Sequence, residues 1–148
     1  MTDFNKKKGM EVLLNLSDEG KAAYVGALVF LTKVDGATDE NEKSFLKDVA
    51  EFHGMDDDVI NEIFGFEDQS FVLESLKNIK DRSVALELIK DMCFLSHRDD
   101  ELSDEEVLFI GDAGNAMGVE IEKIEEISRW VIDRIIWLEE EKLIFEKV

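Results

Sequence analysis

The sequence contains no proline, one cysteine and only 9 glycines in 148 residues. Without proline and with few glycines, the chain has few residues that would interrupt a helix. The single cysteine, Cys93, excludes an internal disulfide and a zinc site built from cysteines, and it favours a reducing compartment. Basic residues are also scarce: 17 Lys and Arg against 36 Asp and Glu give a net charge of −19. Such a charge repels a phosphate backbone, which argues against direct binding to nucleic acid.

Long apolar runs are missing as well. No run approaches the about 18 residues of a membrane span, and no hydrophobic segment of a signal peptide follows the lysine-bearing start of the chain. We therefore expect a cytoplasmic protein that does not itself span a membrane. With 45% hydrophobic and 36% charged residues, the chain is predicted to form one helical domain over residues 1–148, with 1–16 as a partly ordered N-terminal segment.

Apolar residues recur at intervals of three and four, which predicts an all-α fold, a compact bundle of about seven helices. The helix from Ser17 to Val34 is apolar nearly all round between Ala22 and Leu31, which is typical of a helix enclosed by others. Further helices are predicted over residues 39–53, 57–64, 68–79, 83–97, 103–117 and from 119 to the C-terminus.

The sequence also matches itself at an offset of 64 residues. The matching pairs are Phe30 and Phe94, Leu31 and Leu95, Asp35 and Asp99, Glu42 and Glu106, Phe45 and Phe109, Asp48 and Asp112, Gly54 and Gly118, and Ile60 and Ile124. This offset predicts an internal pseudo-repeat of two helix pairs. In each pair an apolar helix ends at an acidic loop, and the loop leads into a helix that begins with a capping box. Asp39 with Glu42 would form one box, and Ser103 with Glu106 the other.

Asp35 and Asp99 are not explained by helix stability. Each follows the C-terminal end of an apolar helix, where the helix dipole disfavours a carboxylate. If the two helix pairs pack around a pseudo-twofold axis, the acidic loops would meet, and a hard divalent cation would relieve their repulsion. Oxygen ligands favour calcium, magnesium or manganese over zinc or copper. The alternative is a pair of solvated acidic loops without a cation.

Neither loop has the pattern of an EF-hand. That motif needs a glycine at position 6 and a glutamate at position 12. Counted from Asp35, these positions hold Glu40 and Leu46. Counted from Asp99, they hold Asp104 and Ile110.

Two segments resemble a known family. VDGATDENE at 34–42 and DDELSDEE at 99–106, each after an apolar helix, resemble the twin acidic loops of the TerB-like tellurite-resistance family. The same fold forms the N-terminal domain of some membrane-anchored J-domain co-chaperones, and the resemblance covers roughly residues 24–137. The chain departs from the pattern at Asp100, where a glycine is expected, and at His97 and Arg98, where small or apolar residues are usual.

The resemblance implies a compact all-α fold and a non-enzymatic role in stress response or in assemblies near the inner membrane. It also implies a divalent-metal site. By position, the ligands would be Asp35, Glu42, Asp99 and Glu106, with Asp39, Asp100 and Glu101 as a second tier.

No catalytic constellation is apparent in the sequence. His53 and His97 are far apart in sequence and have no nucleophile pattern beside them. Cys93 lies in an apolar stretch and is interpreted as a small core residue. We therefore do not expect an enzyme.

The last helix has two apolar stripes. Ile121, Ile124, Val131, Ile135 and Leu138 form the predicted core face. Trp130, Trp137 and Ile144 recur every seven residues and form a second stripe on roughly the opposite side of the helix. A helix needs only one apolar stripe to pack on a core. Either the N-terminal segment covers this second stripe, or it is a partner surface. The partner would be another protein, including a membrane-associated one, or a second copy bound through this helix.

Two functional hypotheses follow. The first is a TerB-like, metal-binding interaction module of the tellurite-resistance type. The second is an acidic adaptor or nucleic-acid mimic that acts through its negative surface without a metal.

Overall fold

A computed structural model describes residues 11–34, 40–97 and 102–147. Its α-helices, numbered along the chain, are α1 Asp18–Leu31, α2 Glu40–Phe52, α3 Asp57–Phe64, α4 Gln69–Ser75, α5 Arg82–Ser96, α6 Asp104–Ala116 and α7 Ile121–Ile144. Short 3₁₀ helices precede α1 at Glu11–Asn15 and follow α4 at Leu76–Asn78. Within the described ranges there is no strand. The prediction of an all-α fold with about seven helices is therefore confirmed.

Side-chain caps explain where α1 and α5 begin. Ser17 Oγ accepts a hydrogen bond from the Gly20 amide at 3.1 Å. Asp81 Oδ1 accepts one from the Ser83 amide at 2.8 Å. Each bond satisfies an amide that has no partner within the first turn of its helix.

Helix α1 is enclosed by other helices, as its sequence predicts. Every residue from Tyr24 to Leu31 is buried, and α1 contacts α2, α3, α4, α5 and α6. Helix α5 is the second apolar helix of the core and contacts α1, α6 and α7. The N-terminal 3₁₀ helix also contacts α1 and contributes the fully buried Leu13.

Helix starts in the two halves of the chain have the same spacing. Helices α5, α6 and α7 begin at Arg82, Asp104 and Ile121, each 64 positions after the first residue of α1, α2 and α3. Helix contacts follow the same scheme. Helix α1 packs on α2 and α3, which touch each other, and α5 packs on α6 and α7, which also touch each other.

The ends of α2 and α6 share one backbone geometry. Gly54 and Gly118 follow these helices with φ of +75° and +77°. The residue after each glycine donates its amide to the carbonyl five positions earlier, at 3.1 Å after α2 and 2.8 Å after α6. This bond belongs to the Schellman motif, which favours glycine because residues with a side chain rarely adopt positive φ.

Ile121, which was predicted on the core face of the last helix, is more than half exposed, and so are the apolar residues Phe52 and Phe71. Phe52 ends α2 and Ile121 begins α7, beyond Ala50 and Ile124, the nearest buried residues of these helices. Helix ends that extend past the core leave their terminal side chains in solvent. The Phe71 ring instead contacts Phe66 edge-on, with centroids 5.1 Å apart.

Helix α7 is the longest described helix. Its 24 residues span about 36 Å, and its buried residues are Ile124 and Val131. None of the described helices is both long enough and apolar enough to cross a membrane.

Candidate functional site

The predicted ligands divide between residues that the structure describes and residues that it does not. Outside the described ranges lie Asp35, Asp39, Asp99, Asp100 and Glu101. Glu42 and Glu106 are described and lie in the first turns of α2 and α6. The helices that flank both acidic segments are also described.

Glu106 has a structural partner. It forms the predicted capping box of α6 with Ser103: Ser103 Oγ accepts from the Glu106 amide at 3.1 Å, and Glu106 Oε1 accepts from the Ser103 amide at 2.9 Å. The side chain is half-buried. Because the amide engages only Oε1, the second carboxylate oxygen of Glu106 has no hydrogen bond within the capping box.

Glu42 lies 64 positions before Glu106 and is buried. A carboxylate in the first turn of a helix interacts favourably with the partial positive charge of the helix N-terminus. That interaction is consistent with burial of an acidic side chain at this position.

Lys33 is the described basic residue nearest in sequence to the first acidic segment, but its ammonium binds at the end of α3. Its Nζ donates to the carbonyl oxygens of Phe64 and Phe66 at 2.7 and 2.9 Å. Burial lowers the pKa of Lys33, while Glu67 raises it and Lys43 lowers it further. The ammonium therefore caps the C-terminal end of α3 and its connection to α4.

Two buried polar side-chain atoms lie at the end of α5, just before the second acidic segment. Within the described part of the chain, Ser96 Oγ and His97 Nε2 are buried and have no hydrogen-bond partner. The last turns of α1 and α5 contain no basic residue. The negative ends of both helix dipoles thus lack a lysine or arginine in their own last turns.

A complete metal site is not formed by described residues alone. Among residues 11–34, 40–97 and 102–147, no three His, Cys, Asp or Glu side chains come close enough to hold an ion. The predicted site therefore depends on the carboxylates of the two acidic segments.

A buried ionisable pair joins α1 to α5. Tyr24 Oη donates a hydrogen bond to Asp91 Oδ2 at 2.5 Å. Burial raises the pKa of Asp91 to about 6, although the bond from Tyr24 and the charge of Lys90 act in the opposite direction. Burial and the adjacent Asp91 also raise the pKa of Tyr24 well above its usual value.

This buried pair was not predicted from the sequence. A signal was present, since Asp91 is a charged residue inside the apolar stretch of α5, and Tyr24 is the only tyrosine of the chain. Nothing in the sequence indicated that the two would meet, because they are 67 positions apart.

Two further buried side chains have altered pKa values. Burial raises the pKa of the Cys93 thiol to about 11. This supports its interpretation as a core residue. His53 is buried beside Lys21, and desolvation together with that charge lowers its pKa. Neither ring nitrogen of His53 has a hydrogen-bond partner among the described residues.

The second apolar stripe of α7 is exposed. Trp130, Trp137 and Ile144 have 54%, 63% and 70% of their surface in solvent. The Trp130 ring contacts Phe94 of α5 edge-on, with centroids 6.3 Å apart. The described part of the N-terminal segment leaves the stripe uncovered.

No protein-family model, curated protein or solved structure matches this chain.

Proposed function

We propose that this protein is a non-enzymatic, cytoplasmic interaction module of the TerB-like type, whose two acidic loops bind one divalent cation, calcium, magnesium or manganese. Its role would be in a stress response of the tellurite-resistance kind, exerted by binding a protein partner.

The observation that carries this proposal is that the helices flanking the two acidic segments have the same order and spacing. Each acidic segment follows a buried apolar helix and precedes a helix with a glutamate in its first turn, and the flanking helices begin 64 positions apart. We interpret the two halves as copies of one unit, related by a pseudo-twofold axis. Superposition of residues 27–60 on residues 91–124 in an experimental structure would test that interpretation.

Local charge supports a cation. Asp104, Glu105 and Glu106 occupy the first turn of α6, next to the second acidic segment. Lys33 is bound to carbonyl oxygens at the end of α3 and so does not serve as a counter-ion for the first segment. Carboxylates are the ligands that calcium, magnesium and manganese prefer.

The test is calorimetric titration of metal-free protein with each cation, together with thermal melts. The key variant is Asp35→Asn/Asp99→Asn. Glu51→Gln/Glu125→Gln is the matched control, because it removes the same number of charges from exposed positions away from the loops. We expect cations to stabilise the wild type and the control, by about 2.7 kcal/mol at 100 times Kd, but not the loop variant.

Equal stabilisation of all three proteins would contradict a specific site. It would indicate diffuse screening of the net charge, as expected of an acidic adaptor that acts without a metal.

A further inference from the structure

The exposed stripe of α7, which we call the tryptophan surface, consists of Trp130, Trp137 and Ile144. It contains both tryptophans of the chain, and more than half of each side chain is in solvent. Since an aromatic side chain can bury about 150–250 Å², the surface exposes roughly several hundred Å² of apolar area. Contiguous apolar patches of that size on a monomer usually mark an interaction site.

A row of acidic residues accompanies this surface. Glu126, Asp133 and Glu140 each lie four positions before one of its members, so the acidic row repeats every seven residues as the apolar row does. Residues four apart are neighbours on a helix, which places the two rows side by side. Glu126 is paired with Lys123. Asp133 and Glu140 have no ion-pair partner within the described ranges.

A second copy of the chain complements this arrangement less well than a partner with an unbroken basic row would. In an antiparallel pair of α7 helices about a twofold axis, the same edge of each helix faces its counterpart, so the acidic rows would oppose each other. In a parallel pair, the acidic row would face the other edge, where Lys123 and Arg134 are interspersed with Glu141. Each copy also carries a net charge of −19. An anionic lipid surface is disfavoured by the same charge.

We propose that the tryptophan surface binds an amphipathic helix of another protein, whose apolar row is flanked by lysine or arginine at heptad spacing. Tryptophans would fill the apolar seam, and Asp133 and Glu140 would pair with the basic row. This inference rests on the proposed role as an interaction module, but not on cation binding.

The test uses a designed probe and the protein's own fluorescence. The probe is a 21-residue helical peptide of three heptads, with leucines in its apolar row, flanking lysines and no aromatic residue. The matched peptide has glutamates in place of the lysines. Because both tryptophans lie on the surface, their emission reports its burial directly. We expect the lysine peptide to cause a saturable shift to shorter wavelength, and the glutamate peptide to cause none.

Two charge variants distinguish binding at the tryptophan surface from binding that follows net charge. Asp133→Lys/Glu140→Lys should bind the lysine peptide at least tenfold more weakly and should gain affinity for the glutamate peptide. Glu51→Lys/Glu62→Lys makes the same change in net charge at exposed positions on α2 and α3, and should bind nearly as the wild type does. Trp137→Ala, with Trp130 as reporter, should also weaken binding at least tenfold.

Several results would overturn the inference. Equal loss in both charge variants would show that binding follows net charge alone. A tryptophan-dependent dimer in sedimentation without peptide would show that the occupant is a second copy. An emission shift with vesicles of anionic phospholipid, but not with the lysine peptide, would show a membrane surface. Titration of Asp133→Lys/Glu140→Lys with cations in a calorimeter distinguishes failure of this inference from failure of the proposed cation site, because that site is intact in this variant.

Discussion

The Tyr24 hydroxyl of α1 donates a hydrogen bond to the Asp91 carboxylate of α5 at 2.5 Å, and both residues are buried. The bond joins the two apolar helices of the core. A single donor does not replace the hydration that a charged carboxylate loses on burial. Desolvation therefore determines the direction of the shift, and the pKa of Asp91 rises to about 6.

This pair predicts that stability falls as pH rises. The Asp91 pKa is raised from 3.8 to about 6 in the folded protein. Its contribution to stability is therefore fully present below pH about 4 and is lost as pH rises through about 6. Asp91→Asn should remove this dependence and should be more stable than the wild type at pH 8, by up to about 3 kcal/mol. Chemical denaturation at pH 4.5, 6 and 8 measures the difference.

Tyr24→Phe provides the complementary control. Removing the donor leaves the Asp91 charge without its hydrogen bond, so the variant should lose more stability at pH 8 than at pH 4.5. The wild type and the two variants share all other carboxylates, so differences among their pH profiles arise from this pair. An unchanged pH profile in Asp91→Asn would contradict the prediction.

Cys93 should react only when the protein unfolds. The thiol is buried and burial raises its pKa to about 11, so almost no thiolate is present at pH 8. We expect an aromatic disulfide reagent to label native protein at the rate of unfolding, and to label protein in denaturant at once. Fast labelling of native protein would show that α5 is open to solvent near Cys93.

Features set by local sequence were the ones that could be predicted. Helix α3 has its predicted bounds, and Ser103 caps α6 as expected, because caps and helix periodicity depend on residues within a few positions. Helix α1 was identified as enclosed because its apolar residues cover every face.

Features that depend on which helices become neighbours were not predicted. Lys33 is polar and follows an apolar helix, but only the packed fold brings Phe64 and Phe66 within reach of its Nζ. Ile121 fits the heptad pattern of the core face, yet α7 begins there and the core is reached only at Ile124. For the candidate site, sequence located Glu42 and Glu106 at helix starts, whereas the other predicted ligands lie outside the described residues.

The two roles of Glu106, helix cap and proposed ligand, can be separated by substitution. Glu106→Gln keeps an oxygen that accepts from the Ser103 amide, so the helix start should stay nearly as stable while cation affinity falls. Ser103→Ala should do the opposite, lowering stability by about 1 kcal/mol with cation affinity retained. Denaturant melts and calorimetry on both variants measure the two effects. If Glu106→Gln leaves cation affinity unchanged, Glu106 is a cap and not a ligand.

Substitution of glycine by alanine should change stability in opposite directions inside α6 and just after its C-terminal end. Gly118 has φ of +77°, so Gly118→Ala should lower stability by about 1 kcal/mol even though a Cβ there would meet no atom. Gly54, with φ of +75° after α2, should lose a similar amount. Gly111 lies inside α6 and also has open space for a Cβ, so Gly111→Ala should raise stability by about 0.5–1 kcal/mol. Denaturant melts of the three variants measure these changes. Since the surroundings are open in every case, a loss in Gly111→Ala as large as that in Gly118→Ala would show that backbone conformation is not what distinguishes these sites.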